Sequence, residues 1–548
     1  MAPSSAEAKP SHGERPANVS ETRTPMRGVT RWQWALLALI LAVAFLLRAY
    51  DLPRVFMWLD ETDFFNEHVY RNPPSALIDF AVATKNATTN TWGWPAVIWV
   101  ACRIFGATIG VARMPSVLVG TGAVLLLFAL VYRMLPAALG GKRFIPAAIA
   151  AAIGAVAMPQ VEFSQRTYPY GATPFLAAAF LLAHLGLLNA LRKRPDGRSL
   201  PRAAILYTLA GSAALCVHVS LALLIGASLV FLALPAIRNF AERPAPERRR
   251  LAALACGMAF TFATAALLNA KNPKYGFRPY LERYYHQPSL HSLTTLALHF
   301  YDFGTYHLNL FYNPALYWPE GANWAILPLV LLCVLGWGMA AAGRFGWLAR
   351  HLALLGMFAV ALTAGLSLLR MFPFGGVRQT LFLSPFVLAF TALGFYALSA
   401  RPALRVLGGV AAVAYLGLWG ANLPRFYRER VTPYSVQELV AAWRQNGGIQ
   451  VYVRGGNERE IEYALRQHPE IPLDSLPLLS KAPYLLITTH YQIDDPVWFA
   501  GYRDYLSKSH YQVALLAERP PAHPESEQYS TCLYFPPNGL WIYKVTAQ

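Results

Sequence analysis

Nine stretches of this chain run for bilayer length without a single Asp, Glu, Lys or Arg: residues 114–132, 144–161, 167–191, 203–237, 251–270, 322–343, 351–369, 379–400 and 406–424. A helix needs about 20 apolar residues to span the hydrocarbon core. Inside that core only helices and closed barrels satisfy their own backbone hydrogen bonds. The pattern therefore predicts a polytopic α-helical membrane protein. The run at 203–237 is too long for one helix and suits two, with the turn at His218 and Ser220. A further run, Trp32–Leu47, lies between Arg31 and Arg48. Residues 1–31 are rich in Pro, Ser, Ala and charge and read as a disordered cytoplasmic tail. No A-x-A cleavage site follows the first run, so it is expected to be an uncleaved anchor.

Charge then orients the spans. Only 14% of residues are charged, against about 25% in soluble chains. The formal charge is +18, yet residues 431–548 hold 9 Lys/Arg against 12 Asp/Glu. The positive excess therefore sits mostly in short loops between apolar runs, which is the positive-inside signal rather than a nucleic-acid surface. No nucleic-acid partner is expected. The basic loops at 191–202, 238–250, 343–350 and 400–405 are expected to be cytoplasmic. Loops 51–92, 271–321 and 370–378, with the segment near 160–168, then fall outside. The segment "WGWPAVIWVACRIFG" (92–106) has only about ten apolar residues before Arg103, short of a span. It reads as interfacial or re-entrant. The count is then about 11 transmembrane helices, N-terminus inside and C-terminus outside. The five cysteines (Cys102, Cys216, Cys256, Cys333, Cys532) show no metal spacing and no disulfide framework.

Past residue 424 the pattern changes. "IQVYV" (449–453), "YLLIT" (484–488), "YQVALLAE" (511–518) and "LWIYKV" (540–545) read as strands. "NEREIEYALRQ" (457–467) and "PVWFAGYRDYLSK" (496–508) read as helices between them. The organisation expected is a tail (1–31), a membrane module (32–424) and a small extracytoplasmic α/β domain (425–548). "RGGNERE" is not G-x-G-x-x-G, so no dinucleotide site is expected.

Four segments of the outer side could carry chemistry. "RVFMWLDETDFFNEHVYRNPP" (54–74) gathers Asp60, Glu61, Asp63 and Glu67 among aromatic residues. It reads either as a solvated interfacial helix or as a general base or cation site, with apolar neighbours raising one carboxyl. "PQVEFSQRTYPYG" (159–171) sets Glu162 one helical turn from Arg166, beside Tyr168. That spacing fits a salt bridge, and the arginine equally fits a phosphate contact. "NAKNPKYGFRPYLERYYHQ" (269–287) places Lys274 and Arg278 outside, where positive charge is normally sparse. They read as headgroup anchors or as contacts to a lipid-linked phosphate. "RMFPFGGVRQTLFLSPF" (370–386) does the same with Arg378. His218 reads as a packed or a substrate-contacting histidine. Acids and bases clustered at one mouth suit a transferase whose donor is a phosphate anchored to a lipid.

These segments carry a resemblance. "MWLDETDFF" resembles the W-x-DE-x signature in the first outer loop of GT-C glycosyltransferases. The narrower likeness is to the dolichyl-phosphate-mannose-protein mannosyltransferase-like branch, with its bacterial aminoarabinose and galacturonosyl transferases. "RIFGATIGVARMPSVLVG" (103–120), "MPQVEFSQRTYPY" and "VRQTLFLSPF" are similar to three further segments of that branch, in the same order. The resemblance implies a GT-C membrane module that moves a sugar from a polyprenyl-phosphate donor to a glycan, lipid or protein acceptor. It implies Asp60 as base with Glu61 beside it, and Arg166 and Arg378 as the matching arginines. The chain departs from the branch at "TNTWGWPAVIWV" (89–100), where a Lys or His is usual. Lys85 is the nearest substitute. Relatives differ in their need for Mg or Mn, so a divalent cation stays open. The expected setting is the cytoplasmic membrane with the active site facing outward. The competing expectation is a transporter or flippase of a lipid-linked glycan, which would place ionisable residues within the spans.

Overall fold

The computed structural model describes residues 29–54, 91–192, 199–240, 244–269, 292–309, 326–376, 378–399, 402–428 and 436–455, with 465, 468, 470–474, 482–490, 504–505, 508–509, 511–519 and 539–547 beyond them. Its helices, in order, are α1 (Arg31–Ala49), α2 (Gly93–Phe105), α3 (Ile109–Met134), α4 (Phe144–Val156), α5 (Met158–Ser164), α6 (Thr173–Arg192), α7 (Ser199–Val217) and α8 (Leu221–Phe240). They continue as α9 (Ala245–Asn269), α10 (Ser292–His307), α11 (Leu327–Ala341), α12 (Trp347–Leu368), α13 (Ser384–Ser399), α14 (Pro402–Arg428) and α15 (Val436–Gln445). Among the described residues, eight helical segments are long and apolar enough to cross a membrane. Four shorter apolar ones, Gly93–Phe105, Leu221–Ala233, Leu251–Leu267 and Leu327–Ala341, accompany them. The chain is a polytopic α-helical membrane protein with a small C-terminal sheet.

The run at 203–237 divides as its length demanded, into α7 and α8, with His218 and Ser220 at the turn. The helix α2 has 13 residues, about 20 Å at 1.5 Å per residue, against about 30 Å of hydrocarbon. It ends at Gly106, whose φ of +100° suits only glycine at low cost. Thr108 then opens α3 by accepting the Val111 amide on Oγ1 at 3.3 Å.

Of the membrane-length segments, the one holding α13 is the most enclosed, and α14 lies at the periphery. Close approach of α11 to α13 rests on two glycines. A Cβ on Gly336 would lie 1.9 Å from the Phe390 carbonyl oxygen, and one on Gly394 would lie 2.0 Å from that of Leu332. Small residues at such crossings let backbones pack where no hydrophobic drive separates helix from lipid.

The C-terminal region holds β1 (Gln450–Gly455), β2 (Leu473–Asp474), β3 (Tyr484–His490), β4 (Tyr511–Arg519) and β5 (Gly539–Ala547). The four expected strands all form, each running further at its C-terminal end, with β1 starting one residue later than expected, and the two-residue β2 adds a fifth. The order is β2-β1-β3-β5-β4, with β1 parallel to β2 and β3, and β5 antiparallel to β3 and β4. Val451, Val453, Leu485, Ile487 and Ile542 pack on one face with Leu439 and Val440 of α15. Tyr452, Tyr484, Leu486, Tyr543 and Val545 form a second cluster on the other face. Period-two alternation accounts for the division. The expected helices at 457–467 and 496–508 fall largely outside the described residues.

Candidate active site

The segment after α5 is the centre of the cluster. Arg166 donates from Nε (3.0 Å) and Nη2 (2.7 Å) to Oε1 of Glu162, and both side chains are about 95% buried. The spacing of one turn thus makes the salt bridge that the sequence allowed. Two neighbours hold the turn that follows, Trp94 of α2 donating from Nε1 to the Thr167 carbonyl at 2.9 Å and Ser116 of α3 donating to the Arg166 carbonyl, while the Asn309 carbonyl accepts the Met158 amide at the start of α5 at 2.8 Å. A buried ion pair is weak evidence of stability, but removing one partner strands the other charge. Glu162→Leu or Arg166→Met alone is expected to cost about 3 kcal/mol, and the two together to recover most of it. Thermal melting in detergent checks this, and additive losses in the double variant would contradict the coupling.

The next residues bring an aromatic wall and a cation together. Tyr168 and Tyr170 stack with ring centroids 5.1 Å apart. The Arg378 guanidinium lies 5.7 Å from the Tyr168 centroid and 5.2 Å from that of Tyr170. Arg378 opens the 3-10 turn Arg378–Leu383 that feeds α13, and it is half-buried. His218, from the α7–α8 turn, packs against Tyr170 with ring centroids 4.8 Å apart. Its Nδ1 accepts the Ser220 amide at 3.2 Å and lies 2.6 Å from the Ser220 hydroxyl. That arrangement leaves the neutral ring's proton on Nε2. Four residues that the sequence scatters over more than 200 positions therefore share one wall.

The acid-bearing stretch leaves this same region. Arg48, at the end of α1, is wholly buried and donates to the carbonyls of Ala44 (2.9 Å), Ala155 (3.0 Å) and Gly154 (3.0 Å) and to Ser164 Oγ (3.2 Å). Gln165 donates to the Leu47 and Tyr50 carbonyls at 3.2 and 3.1 Å, and Tyr427 donates to that of Leu47. Arg113 donates to the Leu52 carbonyl at 2.8 Å. The chain is thus clamped through Leu52 before it reaches "RVFMWLDETDFF". Six extended residues cover at most about 20 Å, which bounds the distance from Arg54 to Asp60. Asp60, Glu61, Lys85, Lys274 and Arg278 themselves lie outside the described residues.

Sequence reasoning does not single out Arg48, Arg113 or Gln165; only their bonds to carbonyls at and just after the end of α1 reveal the clamp. Asp302 of α10 is a second addition. Its backbone carbonyl would lie 3.2 Å from a Cβ on Gly376, so α10 packs against the turn that precedes Arg378. Desolvation raises the Asp302 carboxyl from the ordinary carboxylate range to about 6, although the residue keeps an exposed surface. Among the described residues, no three His, Cys, Asp or Glu side chains come together to hold a metal ion.

No family model and no curated protein sequence matches the chain. Solved structures that resemble its course include the following three. ArnT from Cupriavidus metallidurans bound to undecaprenyl phosphate aligns with a TM-score of 0.49 at 12% identity, over 93% of this chain and 98% of that one. The archaeal oligosaccharyltransferase AglB from Archaeoglobus fulgidus, in complex with an inhibitory peptide and a dolichol-phosphate, aligns with a TM-score of 0.49 at 12% identity, over 88% and 73%. The Archaeoglobus fulgidus oligosaccharyltransferase in complex with Zn and sulfate aligns with a TM-score of 0.46 at 12% identity, over 89% and 72%.

Proposed function

We propose that the chain is a membrane glycosyltransferase that moves a sugar from a polyprenyl-phosphate donor to an acceptor outside the cytoplasmic membrane. The observation that carries this reading is the Tyr168–Tyr170–Arg378–His218 wall, built beside a clamp from which the acid-bearing stretch departs. Asp60 takes the proton of the acceptor hydroxyl, with Glu61 beside it. The acceptor oxygen bonds to the anomeric carbon as the bond from that carbon to the phosphate oxygen breaks. The polyprenyl phosphate leaves with the electron pair, and Arg378 stabilises its added negative charge. Arg166 keeps its segment in place through Glu162, while Lys274, Arg278 and Lys85 are the further phosphate contacts proposed. Tyr168 and His218 line the sugar side. A divalent cation, where the reaction uses one, belongs with the acids of the first outer loop.

Membranes containing the wild type and Asp60→Asn, incubated with radiolabelled polyprenyl-phosphate sugars, test the reading. Transfer by the wild type is expected, with a loss of about 10²-fold on removing the base. Equal transfer by both, or none with any donor, ends the proposal for Asp60.

One observation favours transport as a second reading. Within the spans, Tyr207 Oη, Ser228 Oγ, His184 and His351 form a hydrogen-bonded chain, with steps of 2.8, 2.7 and 2.8 Å. Buried ionisable groups in a membrane often mark a pathway. Uptake of a labelled lipid-linked glycan into proteoliposomes, unaffected by Asp60→Asn and lost in His184→Phe, would favour it.

A further inference from the structure

The buried polar chain within the spans has a direction and an open end. Tyr207 of α7, Ser228 of α8 and His184 of α6 are wholly buried, and His184 meets His351 of α12 Nε2 to Nε2, with the two imidazoles stacked. The pair stands far from the Arg378 wall. The helix α6 starts at Thr173, next to the wall, and reaches Arg192 about 30 Å away at 1.5 Å per residue. His184 lies past its midpoint, and His351 follows directly on the basic loop 343–350.

Hydrogen-bond accounting sets the direction. A neutral imidazole donates from one ring nitrogen and accepts at the other. If His351 donated to His184, the protons would run inward, from His184 to Ser228 and from Ser228 to Tyr207. The Tyr207 proton would then have no acceptor, since Ser228 is its hydrogen-bond partner among the described residues. A buried donor left unpaired is costly. The opposite order satisfies every step: Tyr207 donates to Ser228, Ser228 to Nδ1 of His184, and Nε2 of His184 to Nε2 of His351. The remaining proton sits on Nδ1 of His351, which has no acceptor among the described residues. Arg192 stands beside this donor. Its guanidinium lies 4.0 Å from the centroid of Trp347, one turn before His351, and its charge acts on His351. Among the described residues Arg192 makes no hydrogen bond and no ion pair.

We propose that this junction of α6, α8 and α12 binds an anionic phospholipid of the leaflet opposite the proposed active site. Phosphate oxygens accept from Nδ1 of His351 and from the planar fork of Arg192, which suits them. The acyl chains have a surface to follow. Trp347, His351, Leu354 and Phe358 recur at helical spacing on one face of α12, with Trp347, Leu354 and Phe358 exposed. Phe231 of α8 packs against the rings of both His351 and Phe358. The face thus passes from cation and imidazole donor to apolar surface in about three turns. Basic loops that only orient a bundle require no such order, whereas basic pockets between membrane helices hold lipid headgroups. The apolar face is what selects a lipid over free phosphate. The site does not depend on the transfer reaction.

Native mass spectrometry of the full-length protein in detergent, with dioleoylphosphatidylglycerol, dioleoylphosphatidylcholine and dioleoylglycerol, tests the proposal. Phosphatidylglycerol is expected to bind at least about tenfold more tightly than dioleoylglycerol, which lacks the phosphate, or phosphatidylcholine, whose choline cation opposes Arg192. Millimolar inorganic phosphate should not displace it. Arg192→Gln and His351→Phe each abolish the preference. Arg133→Gln keeps it, because Arg133 lies beside Gly186, on a face of α6 turned away from His184. Photocrosslinking of the wild type with a diazirine-bearing phosphatidylglycerol should label residues within 184–192 or 347–358, a readout that stands even where a variant fails to fold. The proposal is overturned by equal binding of the three lipids, by displacement with inorganic phosphate, by an unchanged preference in Arg192→Gln or His351→Phe, or by crosslinks confined to other segments.

Discussion

Arg378→Ala is expected to reduce sugar transfer by about 10³-fold. The activity loss follows from charge. As the bond from the anomeric carbon to phosphate breaks, negative charge grows on the leaving oxygens, and a preorganised cation offsets it more in the transition state than in the bound donor. Losing one such group in a dry site typically removes 10²–10³-fold in rate, and a full positive charge sits at about the upper end. Arg378 is half-buried, and its ring contacts to Tyr168 and Tyr170 are worth about 1 kcal/mol together. Arg378→Lys separates two origins of the effect. Lysine keeps the charge but lacks the planar fork that stacks on the rings and pairs bidentately with phosphate. Partial recovery of the turnover number, with a raised Michaelis constant for the donor, is the expected pattern. Transfer assays on purified protein with labelled donor check it, and an Arg378→Ala variant with wild-type turnover would remove the arginine from the reaction.

Much of the fold was legible because membrane folding writes itself into composition. Charge-free runs mark spans directly, and the length of the run at 203–237 alone required a break, which falls at His218–Ser220. The strands of the C-terminal sheet were legible from alternation, and their register was not, since pairing is non-local. The same boundary divides the site. Glu162 and Arg166 stand one turn apart, so their pairing could be read from spacing. The meeting of Arg378 with Tyr168 and Tyr170 joins elements about 200 residues apart, and no local rule predicts it. Arg48 is the sharper case. Next to the first span it reads as an ordinary flanking cation, yet it is buried among carbonyls from α1 and α4. Burial of a charge against backbone dipoles has no sequence signature.

Gly336→Leu and Gly394→Leu should each cost more than about 4 kcal/mol, with loss of transfer following from loss of structure. At both positions the obstacle is backbone, which cannot rotate away as a side chain can. A Cβ on Gly336 would meet the Phe390 carbonyl oxygen at 1.9 Å and the Gly394 amide nitrogen at 2.5 Å, and one on Gly394 would meet the Leu332 carbonyl oxygen at 2.0 Å. Ordinary contact needs about 3.4 Å or more, so α11 and α13 must part by more than 1 Å along their crossing. Separation at that crossing opens voids around Cys333, Phe386 and Phe390, which are buried between the helices. Voids forfeit dispersion contacts outright in a close-packed interior. The damage reaches the proposed site as well, because α13 begins directly after the turn carrying Arg378. Gly338→Leu provides the control. It lies on α11 two residues away, where a Cβ meets nothing within 4 Å. There leucine should be neutral or slightly stabilising, since leucine favours helix more than glycine by close to 1 kcal/mol. Melting temperatures of the three variants in one detergent decide the matter. Equal destabilisation at all three positions would show that the loss does not come from the α11–α13 contact.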